Sequence, residues 1–445
     1  MANPSLSEYL AQSQRGLYQS VFGPEYLQKQ SYFTVDSATG VFNTTYGRKV
    51  WQALNNQTRF FNAIPRVVWG NTAGWRVRTD RGSNRSRPVT ETGALPTVDV
   101  SNIETISSLP RIVSTTFGAS VKSVFTAQLE GGVGDVLALE NENAQLVHIK
   151  EMNEELLAGS AYIASGGSAT TVTLPASIAK HFKVGDKIAQ YDADAAGHKR
   201  QTGSTVSGVS GTTVTVEAGA GSDDFANGDI AYIFSRAGLT SIDDVVSVDG
   251  STVGGVTTRS RAYDLTIGSR TAGQWNAAAS ASYNSGTGRA LSLNLLDTAI
   301  QKIRENGGEP KLILLGHDQY FNLERLLNSN QRYLGQEEYQ VGVGSERTFP
   351  GTRTGLVLAT YQGIPIIPDA DVAKSVASDD TVLGSNVYVL DTDYIEIAVA
   401  QPTQYVENRD YFAANALVVR GLLYTMAEMR CNNIFVQAKI ADLNS

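Results

Sequence analysis

Residues 131–157 read GGVGDVLALENENAQLVHIKEMNEELL. Gly131, Gly132 and Gly134 break the chain. Asp135 then stands where a carboxylate would accept the first free N–H groups of a helix. Breakers are few from Val136 to Leu157, so the stretch predicts a helix of about 33 Å at roughly 1.5 Å per residue. Leu139, Leu146, Ile149 and Leu156 make its apolar stripe, with Met152 at the edge. Glu142, Lys150, Glu151, Glu154 and Glu155 occupy most of the remainder. This is the longest single element the sequence offers.

Upstream of the helix lies a ribbon. Val67-Val68-Trp69 reads as a strand and Trp75-Arg76-Val77-Arg78 alternates. A polar run then carries Arg81, Arg85 and Arg87, followed by Glu91 and Gly93 between Pro88 and Pro96. Strand character resumes over 98–103 and 111–117. A two-stranded excursion of this length is marginal in water unless it rests on other material. Its arginines could touch phosphate, form a solvated end, or pair with carboxylates of a neighbouring subunit. Further upstream, Ser5 and Glu8 form a capping box. Leu6, Leu10, Leu17 and Val21 share one face of the helix that follows, and Gly23-Pro24 stops it. An arm without clear period covers 28–45, and a short helix is expected at 46–57.

Downstream, 161–236 is rich in Gly, Ser, Thr, Ala and Val. Thr171-Val172-Thr173-Leu174 and Thr213-Val214-Thr215-Val216 alternate, and Phe182-Lys183-Val184-Gly185-Asp186 echoes Phe225-Ala226-Asn227-Gly228-Asp229. An apolar strand follows each echo, which predicts a small β-barrel or sandwich. Next, 291–303 reads as a helix closed by Gly307-Gly308 and Pro310. A buried strand at 311–315 and a helix at 319–328 follow. Strands are expected at 355–361, 364–367, 387–390 and 394–399. The apolar stretch 416–440 reads mostly as strand, with helix left open.

Composition removes several function classes. The chain has 445 residues, 42% hydrophobic and 18% charged, with a net charge of −8. That sign argues against a whole-chain nucleic-acid coat. A single cysteine, Cys431, makes no intramolecular disulfide and no Cys-rich zinc module. It reads as a small buried residue. The most apolar stretch, 416–429, is cut by Arg420 and Glu428 and falls short of the ~20 residues a bilayer span needs. No apolar signal core opens the chain, so a soluble compartment is expected. A Gly-Lys dipeptide, G-x-S-x-G and H-E-x-x-H are all absent, which removes P-loop, nucleophile-elbow and zincin chemistry. The D-x-D pairs Asp192/Asp194, Asp369/Asp371 and Asp391/Asp393 lack the rest of a calcium loop and read as turn caps. His317 likewise reads as a cap or turn residue. No catalytic residue, cofactor or metal site is expected.

The order of these pieces resembles the major capsid protein of tailed double-stranded DNA viruses, the HK97-like fold. Pro65-Arg66-Val67 through Trp75-Arg76-Val77, then Glu91-Thr92-Gly93-Ala94-Leu95-Pro96, look like the family's extended loop. The 135–158 stretch looks like its spine helix. Gly238-Leu239 with Gly255 to Arg259 resembles the approach to the axial domain. Residues 291–320 and Tyr361-Gln362-Gly363-Ile364-Pro365-Ile366-Ile367 look like parts of that domain.

The resemblance implies an α+β fold with an N-terminal arm (1–65), an extended β-hairpin loop (66–112) and a peripheral domain with the spine helix (113–160). An inserted small β-barrel or sandwich (161–236), a peripheral loop region (237–290), an axial α/β domain (291–399) and closing peripheral strands (400–445) complete it. It also implies self-assembly of identical subunits as hexamers and pentamers around double-stranded DNA, contacted without sequence specificity. Localisation in the virion, assembly in the host cytoplasm, and a portal and decoration protein as partners follow from the same likeness. Met1, with the loop reached by Arg66, favours a separate scaffolding protein over a cleaved leader. Arg76, Arg78, Arg81, Arg85, Arg87 and Glu91, with Glu151, Glu154, Glu155 and the arm residues Leu6, Leu10 and Leu17, are the expected inter-subunit contacts. Some relatives join the loop to a neighbour through a Lys-Asn bond. No lysine lies between Lys49 and Lys122, so noncovalent contacts are expected here. A tail-tube or adhesin protein, and an α/β enzyme using His317 and Asp318, are the rival readings.

Overall fold

The computed structural model describes residues 58–70, 74–78, 89–95, 103–127, 135–192, 197–217, 224–246, 252–253, 256–257, 261–262, 265–266, 287–328, 337–340, 348–351, 360–376, 381–409 and 417–445. Leu6, Leu10, Leu17, Arg81, Arg85, Arg87 and both expected N-terminal helices lie outside them. The chain divides into two compact units. The first holds 1–57, 112–152 and 399–427, and the second holds 58–111, 153–398 and 428–445.

The ribbon of the second unit pairs Gly74–Arg78 with Ile103–Ser107, antiparallel, from Gly74↔Ser107 to Arg78↔Ile103. Of the strand expected at 98–103, only Ile103 is described and lies in this pairing. Residues 66–68 form a separate strand, beside which Pro65 O accepts from Ile397 N at 2.9 Å within the same unit.

The long helix spans Val136–Leu157, as its breaker-free sequence dictates. Asp135 Oδ1 accepts from Leu137 N at 3.0 Å and Ala138 N at 3.1 Å, which caps it. The stripe differs from expectation. Ile149 is 37% exposed, and Leu139 and Leu146 are half-buried. The covered line is instead Ala144, His148, Met152 and Leu156, a run of i, i+4 steps. A polar His148 fits this line because both ring nitrogens are occupied. Nδ1 lies 3.0 Å from Thr115 Oγ1 and Nε2 lies 2.7 Å from Thr425 Oγ1, all within the first unit.

Residues 161–235 form a seven-stranded antiparallel module. Its strands are β1 (Ala161–Ser165), β2 (Gly167–Ser168), β3 (Thr171–Thr173), β4 (Lys187–Asp192), β5 (Gly197–Ser210), β6 (Thr213–Val216) and β7 (Asn227–Ser235). The order is β1-β7-β4-β5-β6-β3-β2. The long β5 pairs with β4 through its first part and with β6 through its last, so one strand serves both halves. One apolar core, including Tyr162, Phe182, Ile188, Val214 and Phe225, is shared by them.

Equivalent residues of the two halves meet in two of the strand pairs. In the β3–β6 pair, Val172 faces Val214, and the two equivalent motifs cross at that point. In the β4–β7 pair, Ala189 faces Tyr232, which are again equivalent when Asp186 is set on Asp229. The echo noted in the sequence is thus the turn of each half.

The remaining α/β part of the second unit is a five-stranded sheet. Its members are β8 (Leu312–Leu315), β9 (Thr360–Tyr361), β10 (Ile364–Pro368), β11 (Val387–Leu390) and β12 (Ala438–Ile440), in the order β9-β10-β8-β11-β12. β8 is parallel to β10 and antiparallel to β11. All four residues of β8 are buried, which fits its uninterrupted apolar sequence. The helix Leu293–Glu305 lays Leu296, Ala299, Ile300 and Ile303 on the same core as Ile313, Val389 and Ile440. Helix His317–Asn328 starts two residues earlier than its sequence suggested.

One expectation about the C-terminal part is corrected. The strand read as 394–399 runs from Ile395 to Asn408. Its second half is exposed on both sides from Pro402 to Asn408, so it shows no alternation by which a sequence pattern would extend it. The last strand, β12, pairs with β11 and buries Ala438 and Ile440 in the five-stranded core.

Candidate assembly surface and its buried support

The hairpin carries Arg76 and Arg78 at exposed positions. They stand opposite Thr105 and Ile103, and the two-residue period puts them on one face about 7 Å apart. Glu91 is exposed beside a turn closed by Gly93 N to Thr90 O at 2.8 Å. Glu151 is half-buried on the first-unit part of the long helix. Glu154 and Glu155 belong to its second-unit part and already have partners there. Lys180 Nζ lies 3.9 Å from Glu154. Glu155 Oε2 accepts from Leu239 N at 2.9 Å.

The second unit also holds a buried cluster that sequence reasoning missed. Ser241 and Asp244 form a capping box on the short helix Ile242–Val245, and this puts Asp243 and Asp244 side by side. Asp243 Oδ2 accepts from Ser160 N at 2.9 Å and Ser160 Oγ at 2.7 Å. Its Oδ1 accepts from Tyr388 Oη at 2.8 Å and from Lys439 Nζ. Asp244 Oδ2 accepts from Arg236 Nε. The same guanidinium donates to Gly159 O at 2.8 Å and Ala158 O at 3.2 Å.

These groups are shielded. Asp243 is 3% exposed and Lys439 5%. Burial pushes the Asp243 carboxyl up, but the Lys439 ammonium and the hydrogen bonds from Lys439, Ser160 and Tyr388 outweigh it and hold the group below the usual carboxylate range. Burial opposes the Arg236 charge, yet Asp244 and Asp186 keep its pKa raised. The Ser-x-x-Asp box at 241–244 was readable, as was a lone lysine in the apolar run 434–441. Their meeting was not, because it is a tertiary contact.

A second carboxylate grips the adjacent backbone. Glu428 Oε1 accepts from Thr240 N at 2.9 Å and Met429 N at 3.0 Å, and Arg111 Nε lies 3.6 Å from its Oε2. Burial raises this carboxyl to about 7.

The D-x-D pairs act as turn caps where they are described. Asp369 Oδ1 accepts from Asp371 N at 3.1 Å, and Asp391 Oδ1 from Asp393 N at 3.1 Å. Asp194 lies outside the described residues. Asp318, beside His317, accepts from Ser385 N at 2.7 Å and so ties its helix to the strand Val382–Ser385. Cys431 is buried. Among the described residues no group of three or more His, Cys, Asp or Glu is placed to hold a metal, and no helix is long and apolar enough to cross a membrane.

Comparison with known proteins gives these features a family. No curated protein sequence matches the chain. The cyanophage A-1(L) capsid asymmetric unit is similar in structure, with TM-score 0.54 and 13% identity over 89% of this chain and 96% of that one. At such identity the likeness is one of fold, the HK97-like fold of phage capsids. The phage G assembly of gp27 major capsid proteins and gp26 decoration proteins aligns at TM-score 0.42 and 10% identity, over 93% of this chain and 99% of that one. A family model described as SU10 major capsid protein matches residues 29–442. Spanning nearly the whole sequence, that match means that the chain belongs to the SU10 major capsid protein family and is a capsid protein of a tailed-phage virion.

Proposed function

We propose that copies of this chain assemble as hexamers and pentamers into an icosahedral shell around double-stranded DNA. The hairpin lies across an adjacent subunit, and the N-terminal arm reaches along a neighbour. The observation that carries this reading is the ribbon 74–78/103–107, which bears Arg76 and Arg78 exposed on one face and is too short to be stable alone. Many weak contacts of this kind become collectively strong when a closed shell repeats them. Arg81, Arg85 and Arg87 extend the basic end, with Glu91 and Glu151 among its acidic counterparts. Glu154 and Glu155 belong to the same acidic set, each also holding a contact within its own chain. Leu6, Leu10 and Leu17 supply the apolar face of the arm.

In this reading 291–399 is the axial domain, joined by β12, and 113–160 with 400–431 is peripheral. The module 161–236 is an insertion that decorates the shell or braces it. With no lysine between Lys49 and Lys122, the loop contacts are noncovalent. A separate scaffold, a portal and a decoration protein complete the particle, which assembles in the host cytoplasm. The chain has no catalytic role.

Electron microscopy of the purified full-length protein tests the assembly. Closed shells are expected, whereas tubes or small discrete particles would overturn it in favour of a tail or enzyme reading. Arg78→Glu with Arg81→Glu should lower particle yield, most at low salt where charge pairs are least screened. Unchanged yield at every salt would remove the arginines from the contact.

A further inference from the structure

The module 161–235 enters and leaves the rest of the second unit at neighbouring points. Ser160 precedes its first strand, and Arg236 follows its last. Both are held by one short helix. Asp243 takes the N–H and hydroxyl of Ser160, and Asp244 takes the guanidinium of Arg236. The other oxygen of Asp243 reaches the five-stranded sheet, through Tyr388 on β11 and Lys439 on β12. The first turn of the module joins in, because Asp186 Oδ1 accepts from Ala237 N at 2.8 Å. Module, connecting helix and sheet therefore meet at adjacent carboxylates.

We propose that Asp243 and Asp244 form a rigid coupling, which fixes both ends of the β module to the five-stranded sheet so that the two unfold together and move as one body. The physical basis is the price of partial opening. Lifting the module off together with its connecting helix would part Asp243 from Lys439 and Tyr388, and lifting it off that helix would part Asp244 from Arg236; either route breaks a buried charge pair, which is far costlier than breaking a surface one. A joint of two covalent strands alone would let the module open independently, as a separate low-stability region. The coupling instead ties that event to disruption of β11 and β12. A load on the module is then passed to the sheet without a hinge.

Hydrogen exchange of the full-length protein across a urea series reads this directly. Peptides from 187–206 and from 312–315 and 387–390 are followed in the same sample. In the parent protein both sets should lose protection at the same urea concentration. In Asp243→Asn the module's midpoint should fall below that of the sheet by on the order of 1 M. If that variant fails to fold, Asp243→Leu with Lys439→Met removes both charges without leaving either orphaned, and should fold with separated midpoints. Separate midpoints in the parent protein overturn the proposal, as do coincident midpoints in whichever variant folds.

Discussion

The two halves of the β module use the same turn for different ends. Phe182 and Phe225 are each 1% exposed, and Gly185 and Gly228 both have positive φ, at 96° and 92°. Lys183 N donates to Asp186 Oδ2 at 2.8 Å, and Ala226 N donates to Asp229 Oδ2 at the same distance. Around this shared frame the partners diverge. Asp186 spends its second oxygen on Ala237, outside the repeat, whereas Asp229 accepts from Gln190 Nε2 at 2.7 Å, inside the other half. The residue before each phenylalanine differs too, since His181 is buried and Asp224 is exposed. A repeated turn fixes backbone geometry, and its neighbours decide what that geometry supports.

The largest expected asymmetry is pH-dependent. Burial, then the charges of Lys180, Arg236 and Lys183, lower His181 to about 3, so the folded module holds it neutral. The unfolded chain takes up a proton near pH 6.5 and the folded one does not until far lower. Stability is therefore fully present above about pH 6.5 and is lost as pH falls toward 3, by roughly 4–5 kcal/mol. His181→Phe should flatten that acid limb in denaturation curves taken between pH 3 and 7. A limb that stays as steep would place the acid sensitivity elsewhere. The core positions test the symmetry instead. Phe182→Ala and Phe225→Ala should each cost about 3–5 kcal/mol and agree within roughly 1 kcal/mol, measured by urea unfolding.

Glu428 should give the opposite pH sign. Its carboxyl is raised to about 7, so the folded state binds the proton more tightly than the unfolded chain does. That contribution is present below about pH 4.5 and disappears as pH rises through 7, at roughly 3 kcal/mol. Glu428→Gln should lose this alkaline decline while His181→Phe retains it. The smallest difference concerns the glycines. Alanine at either turn meets the left-handed backbone penalty of about 1–2 kcal/mol. A Cβ at Gly185 would also come within 3.1 Å of Ala237 Cβ, while at Gly228 it meets open space. Gly185→Ala should then be the worse by several tenths of a kcal/mol. Equal losses would mean that Ala237 does not press on the first turn.

Much of this was legible in local sequence. Asp135, the helix to Leu157, the glycines after Glu305 and both F-x-x-G-D turns are short-range signals, and each lies where its chemistry demands. The helix stripe was misread because His148 counts as polar in a pattern, although two threonine hydroxyls satisfy it. The outgoing strand was cut short because Gln401-Pro402-Thr403-Gln404 carries no buried face to mark it. The junction at Asp243 and Asp244 joins residues 160, 236, 388 and 439, and no periodicity spans such distances. Candidate contacts on the hairpin could be named from charge. The commitment of Glu155 to Leu239 became visible only with the fold.

The lone thiol of Cys431 sits sealed at the end of the strand Val418–Cys431, its Sγ 3.4 Å from Asn433 O. It is the one cysteine in 445 residues. A maleimide or disulfide reagent therefore has a single target, which reacts only when that strand end opens. The speed of the modification becomes a built-in stopwatch for local breathing, with no label to engineer.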